Sequence, residues 1–412
     1  MPLDLDYIRP HFPALAGDWI FMDNAGGSQT LGLVAERIGD YLLSSNVQHG
    51  ASYAVSQQAM RRVQVATEAM ATLVNARHAS EVVMGPSATA QFRILALSLA
   101  QGWQPGDEVI ITNTDHEANV SPWTDLEAQG IVIKVWRCDP DTQHLHLDDL
   151  RGLLSERTRL LAVTHTSNLL GTLNPIRPIA DLVHEAGALI CVDGVAHAPH
   201  RLVDVQALDV DFYVFSFYKV YGPHYALLYG RRELLVELPR FNHYFINGEQ
   251  VPYKFQPGNV NFELAYSTTG LADYLSGVAR HHIQGNHLSL REEMKVAFDL
   301  FAEHEEALAR RLLDYLTSKD KVRIIGDPSS DQQRRVPTIS FVVEGLPSDT
   351  LVSRIDPFHI GIRYGDFYAK KLIHDLGLTD QNGVVRVSLV HYNTLEEVDR
   401  LIEALEAAAM LG

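Results

Sequence analysis

Two short apolar runs in residues 188–223 limit what this chain can become. Ala188–Val192 ends in Asp193, and Phe212–Phe215 ends in Ser-Phe-Tyr-Lys219 and then Gly-Pro. Runs this short, continuously apolar and closed by turn residues, read as strands buried on both faces of a sheet. They belong to a series that also includes EVVMG, DEVIIT, IVIKVWR, RLLAVTH and ALLYG, with amphipathic stretches between, from about residue 80 to 230. That alternation predicts an α/β fold with helices on both faces of a mostly parallel seven-stranded sheet. ALLYG follows its predecessor too closely for a crossover, so one antiparallel strand is expected. Ligands gather at the carboxyl ends of strands in such sheets. Thr112 to His116, Thr164 to Asn168, Asp193 and Ser216 to Lys219 all fall there.

Helices are expected at Leu31–Ser44 and Ser56–Asn75, and a long polar one at Ser289–Lys319. Past residue 320, VRIIGD, TISFVVEG, IGIRYGDF and VVRVSLVHYN precede a closing helix, Thr394–Ala409, that opens with a Thr-x-x-Glu capping box. The expected organisation is an N-terminal segment to residue 30 packing with the small domain, a large domain over 31–290, and a small α+β domain over 291–412. The balance of 34 basic against 51 acidic residues, a formal charge of −17, argues against nucleic acid or an anionic membrane as partner. Only two cysteines occur, Cys138 and Cys191, with no disulfide or zinc spacing, so no metal site is expected and a reducing cytoplasm fits. No apolar stretch approaches a membrane span, and the first residues lack the order of a signal peptide.

A carboxylate at one strand end and a lysine after the next suit pyridoxal 5'-phosphate (PLP). The amine joins the cofactor's aldehyde, and the carboxylate keeps the pyridine nitrogen protonated so that the ring can take up electrons. A buried Asp–Lys ion pair would give the same pattern. Gly85-Pro-Ser-Ala-Thr-Ala90, before the helical stretch Gln91–Ala100, could cradle a phosphate with backbone N–H groups, or be a plain strand-to-helix turn. Ser216 and Tyr218 offer hydroxyls beside Lys219. His116 could stack on a flat ring or be a surface histidine, and Asn168 could donate to a ring oxygen or shape a turn.

Together these motifs resemble class V aminotransferases: Gly-Pro-Ser-Ala-Thr, Asp-His-x-Ala-Asn-Val-x-Pro-Trp, Thr-x-x-Ser-Asn-x-x-Gly-Thr, Val-Asp-Gly and Ser-x-x-Lys-x-x-Gly-Pro. The likeness is nearest to the cysteine desulfurase and selenocysteine lyase branch. It runs from Phe21-Met-Asp-Asn-Ala-Gly-Gly to Arg386-Val-Ser-Leu and the closing helix. It implies PLP-dependent transferase fold type I and a homodimer whose active sites are shared between subunits. By the same likeness Lys219 holds the cofactor and moves protons, Asp193 pairs with the pyridine nitrogen, His116 stacks and Asn168 meets the ring oxygen. Ser87, Ala88, Thr89 and Ser216 fall where relatives bind phosphate. Arg386, and with it Arg363, falls where they hold the substrate carboxylate, work suited to a forked guanidinium.

The departures bear on the reaction. Desulfurases of the family carry a persulfide-forming cysteine in Arg-x-Gly-x-x-Cys-Ala; here the stretch is Arg363-Tyr-Gly-Asp-Phe-Tyr368-Ala, which leaves Tyr368 beside the substrate. The usual histidine before the lysine is Tyr218, and the glutamine expected three after Asp193 is Ala196, with His197 next to it. In place of Gly-Thr-Pro-Asn stands Gly258-Asn-Val-Asn261, which makes Asn259 a candidate donor to the partner subunit's phosphate. The expected activity is that of a PLP-dependent lyase or transferase on a small-molecule amino-acid substrate, with carbon–sulfur β-lysis needing no persulfide cysteine. A class V aminotransferase or an amino-acid epimerase is the alternative. A non-catalytic PLP-binding regulator would need a DNA-binding extension, and a nucleotide-binding protein would need a glycine-rich phosphate loop; neither motif occurs.

Overall fold

The protein is described here as a computed structural model covering residues 2–283 and 287–409. The outermost expected bounds, residue 1 and 410–412, and the stretch 284–286 lie outside the described residues.

In chain order the strands are β1 (Ile20–Phe21), β2 (Val82–Gly85), β3 (Glu108–Thr112), β4 (Val132–Trp136), β5 (Thr158–Thr164), β6 (Leu189–Asp193), β7 (Phe212–Ser216) and β8 (Ala226–Gly230). Then follow β9 (Val322–Ile325), β10 (Thr338–Val343), β11 (Ile360–Gly361), β12 (Arg363–Gly365) and β13 (Val384–Ser388). Strands β2 to β8 form one seven-stranded sheet in the order β2-β8-β7-β6-β5-β3-β4. The pairings from β4 across to β7 are parallel, and β8 runs antiparallel to both β7 and β2. This is the fold type I arrangement, with the single reversed strand where the short β7–β8 connection required it.

Strands β2, β6, β7 and β8 are buried along nearly their whole length, which is why they are apolar up to their ends. Alternate residues feed two cores. Val109, Ile111, Ala162, Cys191 and Val214 pack with Phe92, Leu95 and Leu99 of α3 (Ala88–Ala100). On the other face Ile110, Val163, Ile190, Val192 and Phe215 pack with Ile179 and Val183 of α4 (Ile176–Glu185). The same larger core takes in α2 (Ala54–Val74), which ends at Asn75 in the left-handed conformation (φ 57°), and α5 (Thr269–His282). It lies next to α1 (Gly32–Ser44) as well.

The long α6 (Leu290–Thr317) begins in a capping box formed by Ser289 and Glu292. It runs from the large core to a four-stranded antiparallel sheet, β12-β13-β10-β9. That sheet packs on the end of α6 and on α7 (Leu395–Ala409), whose expected Thr394–Glu397 cap is formed at 3.1 and 3.2 Å. The first 30 residues serve both halves. Strand β1 pairs with β11 and Met22 accepts from the Ser388 N–H, whereas Ile8 and Phe12 sit in the larger core, Phe12 against the rings of Tyr274, Tyr221 and His391.

One glycine is forced by close approach. A Cβ on Gly194 would lie 2.0 Å from the Tyr213 ring, so only glycine lets the chain turn directly after Asp193. No described helix is long and apolar enough to cross a membrane.

Candidate active site

Register brings the chemistry together. Thr164 pairs with Asp193 and Asp193 with Val214, so the ends of β5, β6 and β7 lie side by side. Beyond them opens a cleft with about 500 Å³ of empty space, lined by Ser87, Ala88, Thr89, His116, Asn168, Asp193, Ser216, Tyr218 and Lys219. These nine were expected from sequence. Ala118, Thr164, Thr166, Val195 and Ala196 also line it, without having been assigned a role.

Ser87 caps α3, its hydroxyl accepting from the Ala90 N–H at 3.1 Å. Ala88 and Thr89 occupy the first turn, where N–H groups have no intrahelical acceptor. Lys219 leaves β7 through a single 3₁₀ turn, Phe217–Lys219, and is almost fully buried. Burial lowers its pKa, and Arg386 lowers it further, against the opposing pull of Asp193 and Asp23. Asp193 is also buried; burial raises its pKa, offset by the Val195 N–H at 2.8 Å and by Lys219. Behind it Asp115 accepts from Asn119 and the Thr164 N–H at 2.7 and 3.0 Å, and burial pushes its carboxyl up to about 8. A protonated Asp115 spares Asp193 a second negative charge nearby.

His116 accepts from the Ala118 N–H through Nδ1 at 3.0 Å. Burial, with the charges of Lys219 and Arg386, drops its pKa to about 4. The ring is therefore neutral near pH 7, with its proton on Nε2. Asn168 donates to the Phe367 carbonyl at 2.9 Å, and its Oδ1 is buried with no partner among the described residues.

The expected carboxylate-binding residues lie apart from the cleft lining. Arg386 is 1% exposed and donates to Asp23 Oδ1 at 2.8 Å and to the Asn168 carbonyl at 3.1 Å. Its guanidinium lies 3.7 Å from the centre of the Phe367 ring. Arg363, its register partner on β12, is more exposed and 3.7 Å from the other oxygen of Asp23. Asp23 and Phe367 were not singled out from sequence. Asp23 lies in the Phe21-Met-Asp-Asn-Ala-Gly-Gly stretch, and nothing local ties it to an arginine 363 positions later.

Tyr368 is 66% exposed and sits at the rim, its ring 5.2 Å from that of His116 and its carbonyl accepting from the Glu117 N–H at 2.8 Å. Phe367 and Tyr368 both have positive φ, 50° and 60°, a costly conformation for aromatic residues. Asn259 is exposed and is not part of the cleft lining of its own chain. Cys138 and Cys191 are both free and buried, and burial raises both thiol pKa values. Among the described residues no group of three or more His, Cys, Asp or Glu could hold a metal ion.

The family model for class V aminotransferases matches residues 20–401. The aminotransferase-like protein FGM3 of Gibberella zeae is 46% identical over 411 residues, covering 98% of each chain. The cysteine desulfurase-like protein ustD of Aspergillus flavus is 35% identical, over 98% of this chain and 90% of its own. The crystal structure of the cysteine desulfurase CsdA of Escherichia coli superposes with a TM-score of 0.85 at 26% identity, covering both chains entirely. The chain thus belongs to the class V aminotransferase family, whose members are PLP-dependent enzymes.

Proposed function

We propose that this chain binds PLP through Lys219 and acts on an amino acid by β-lysis, with carbon–sulfur cleavage as its chemistry and no persulfide on the protein. The donor set suits the cofactor. Ser216 and the start of α3 at Ser87, Ala88 and Thr89 are chemically fit for a phosphate, and Asp193 for a protonated ring nitrogen. The uncharged His116 is fit to lie against the ring face. The second N–H of Asn168, next to an unsatisfied amide oxygen, is available to a ring oxygen. When bound, PLP supplies an electron sink for the pair left at the substrate α-carbon.

The rest falls to the chain's own groups. Lys219, with its pKa lowered by burial, is neutral often enough near pH 7 to take the α-proton. Arg386, fixed by Asp23 and by the Asn168 carbonyl, and Arg363 beside it offer the charge for a substrate carboxylate. Tyr368 at the rim would meet the substrate side chain. The leaving sulfur takes a proton and departs as sulfide or thiol; for cysteine, water then yields pyruvate and ammonia.

A homodimer that lends Asn259 to the partner's phosphate site belongs to this reading. Large apolar side chains lie exposed at Leu43 (91%), Tyr244 (84%) and Phe245 (65%), surface a second copy would cover. A cytoplasmic setting also belongs to it, in keeping with two free thiols. The name of the FGM3 relative favours transamination as a second reading.

The carrying observation is Tyr368 at the cysteine position while both cysteines are buried. Borohydride reduction and peptide mapping should tag Lys219. A Cys138→Ala/Cys191→Ala double variant should keep its turnover, with no protein persulfide. A tag elsewhere sinks the Lys219 assignment. A trapped persulfide, lost with activity in the double variant, restores desulfurase chemistry. A 2-oxo acid formed one-for-one with an aminated acceptor would favour the transaminase.

A further inference from the structure

Thr166 is 0% exposed, yet it lines the cleft together with Asn168, Asp193 and Ala196. Its Oγ1 has one hydrogen-bond partner among the described residues, Nδ1 of His197 at 3.2 Å. That imidazole is pinned. Its ring lies on the ring of His165 with centroids 3.5 Å apart and planes 14° from parallel. His165 is held in turn by the Tyr213 hydroxyl, 2.9 Å from its Nδ1. Backbone bonds fix both ends: the Thr166 carbonyl accepts from Thr164 Oγ1 at 2.7 Å, and the His197 N–H donates to the Gly194 carbonyl at 3.0 Å.

Burial keeps both stacked imidazoles neutral, His165 with a pKa pushed down to about 3 and His197 well below its usual range. Each then carries a single ring proton. Buried polar groups are costly unless paired, and here two imidazoles, a phenol and a hydroxyl are buried in one chain of contacts. That chain ends at the cleft with hydrogen-bonding capacity to spare. Ala196, next to His197 in sequence, offers the cleft only a methyl.

We propose that Thr166 is a cofactor-positioning donor: His197 gives its Nδ1 proton to Thr166 Oγ1, and the Thr166 hydroxyl directs its own proton at the oxygen on the cofactor ring. The inference rests on the proposed attachment of PLP to Lys219. A donor at that oxygen draws charge from it and weakens its hold on the proton of the neighbouring nitrogen, the one that joins lysine and cofactor. Removing the donor therefore raises the pH at which the visible band of the resting holoenzyme converts.

The test is a spectrophotometric pH titration of the holoenzyme, with cofactor affinity measured alongside. Thr166→Val keeps the shape and loses the hydroxyl. Its midpoint should rise by about half to one pH unit, the worth of one net hydrogen bond, and its cofactor affinity should fall several-fold. Thr166→Ser should return both toward the parent values. His197→Phe keeps the stack on His165 and removes the bond to Thr166, so its midpoint should move the same way. Should the valine variant fail to fold, Thr166→Ala against Thr166→Ser makes the same comparison. An unmoved midpoint without the hydroxyl, or a serine variant that behaves like valine, overturns the role of Thr166. An unmoved midpoint in His197→Phe overturns that of His197. An unsubstituted protein with neither a visible band nor a borohydride-fixed Lys219 overturns the cofactor reading itself, and this one with it.

Discussion

At the scale of single residues the site is governed by burial acting on charge. Lys219 and Asp193 are both removed from water, which pushes the amine toward its neutral form and the carboxyl toward its neutral form as well. A cationic ring nitrogen beside Asp193 would reverse the second tendency, because an opposite charge favours the carboxylate. Asp193→Asn isolates that interaction. The amide oxygen can still accept the 2.8 Å bond from the Val195 N–H, so the turn through Gly194 survives. What is lost is the negative charge, and with it the protonated state of the ring. The expected result is a protein that still takes up PLP while kcat falls by about a hundredfold or more, the scale of losing one preorganised electrostatic contact. Steady-state kinetics at saturating cofactor, with the bound cofactor counted by absorbance, decide it; near-parental kcat refutes the role.

At the scale of elements, strand ends deliver the chemistry and two loops cover it. Strands β6 and β7 are readable because burial leaves no charged residue in them until the carboxyl end. Asp193 and Lys219 stood out because they break that pattern. The contacts of Arg386 were not readable. Asp23 follows β1, Arg386 lies on β13 and Phe367 on the loop after β12, and only sheet pairing unites them. The stack of His165 on His197 is unreadable for the same reason: the residues after β5 and β6 fold over each other, and no periodicity encodes a ring stack. The Phe367 loop also holds Asn168 through its carbonyl, so the arginine and the cleft share a support. Arg386→Lys keeps a positive charge but loses the planar fork that reaches Asp23 and the Asn168 carbonyl together. kcat/KM for an amino acid should fall at least about tenfold with the cofactor spectrum unchanged, while an amine lacking the carboxylate should be little affected. Equal losses on both substrates would remove the carboxylate from the role of Arg386.

For the whole molecule, buried histidines tie stability to pH. His116 and His165 have pKa values lowered to about 4 and about 3, and His197 and His391 lie well below the usual range. Below pH 6.5 the unfolded chain binds protons that the folded one refuses, so stability falls as pH drops from there toward 4, by up to about 1.4 kcal/mol per unit for each such proton. Asp115, Asp193 and, at the upper end of the range, His184, held up by its hydrogen bond to Asp211, have raised pKa values and work the other way, but His11 and His49 are also lowered by burial, so six histidines outweigh three opposing groups. Urea midpoints should therefore decline between pH 6.5 and 4.5; a flat or rising profile contradicts the neutral assignment.

The proposed dimer makes a sharper demand, because it places Lys219 and Asn259 of one active site on different chains. Asn259 is exposed in its own chain and is not part of the cleft lining there. Asn259→Ala should weaken PLP binding several-fold by removing one phosphate contact, and Lys219→Ala should abolish turnover. Each homodimer is then defective in both sites when cofactor is scarce. A mixed dimer differs. The chain with Lys219→Ala still carries Asn259, and it lends that residue to the site where its partner's lysine is intact. One of the two sites is whole, and the other bears both defects. Co-expressed and tag-purified heterodimers should recover about half the parental activity at limiting PLP, as two-fold symmetry requires. Were Asn259 to serve the cleft of its own chain, the intact lysine would face its own alanine, and no mixing would restore activity.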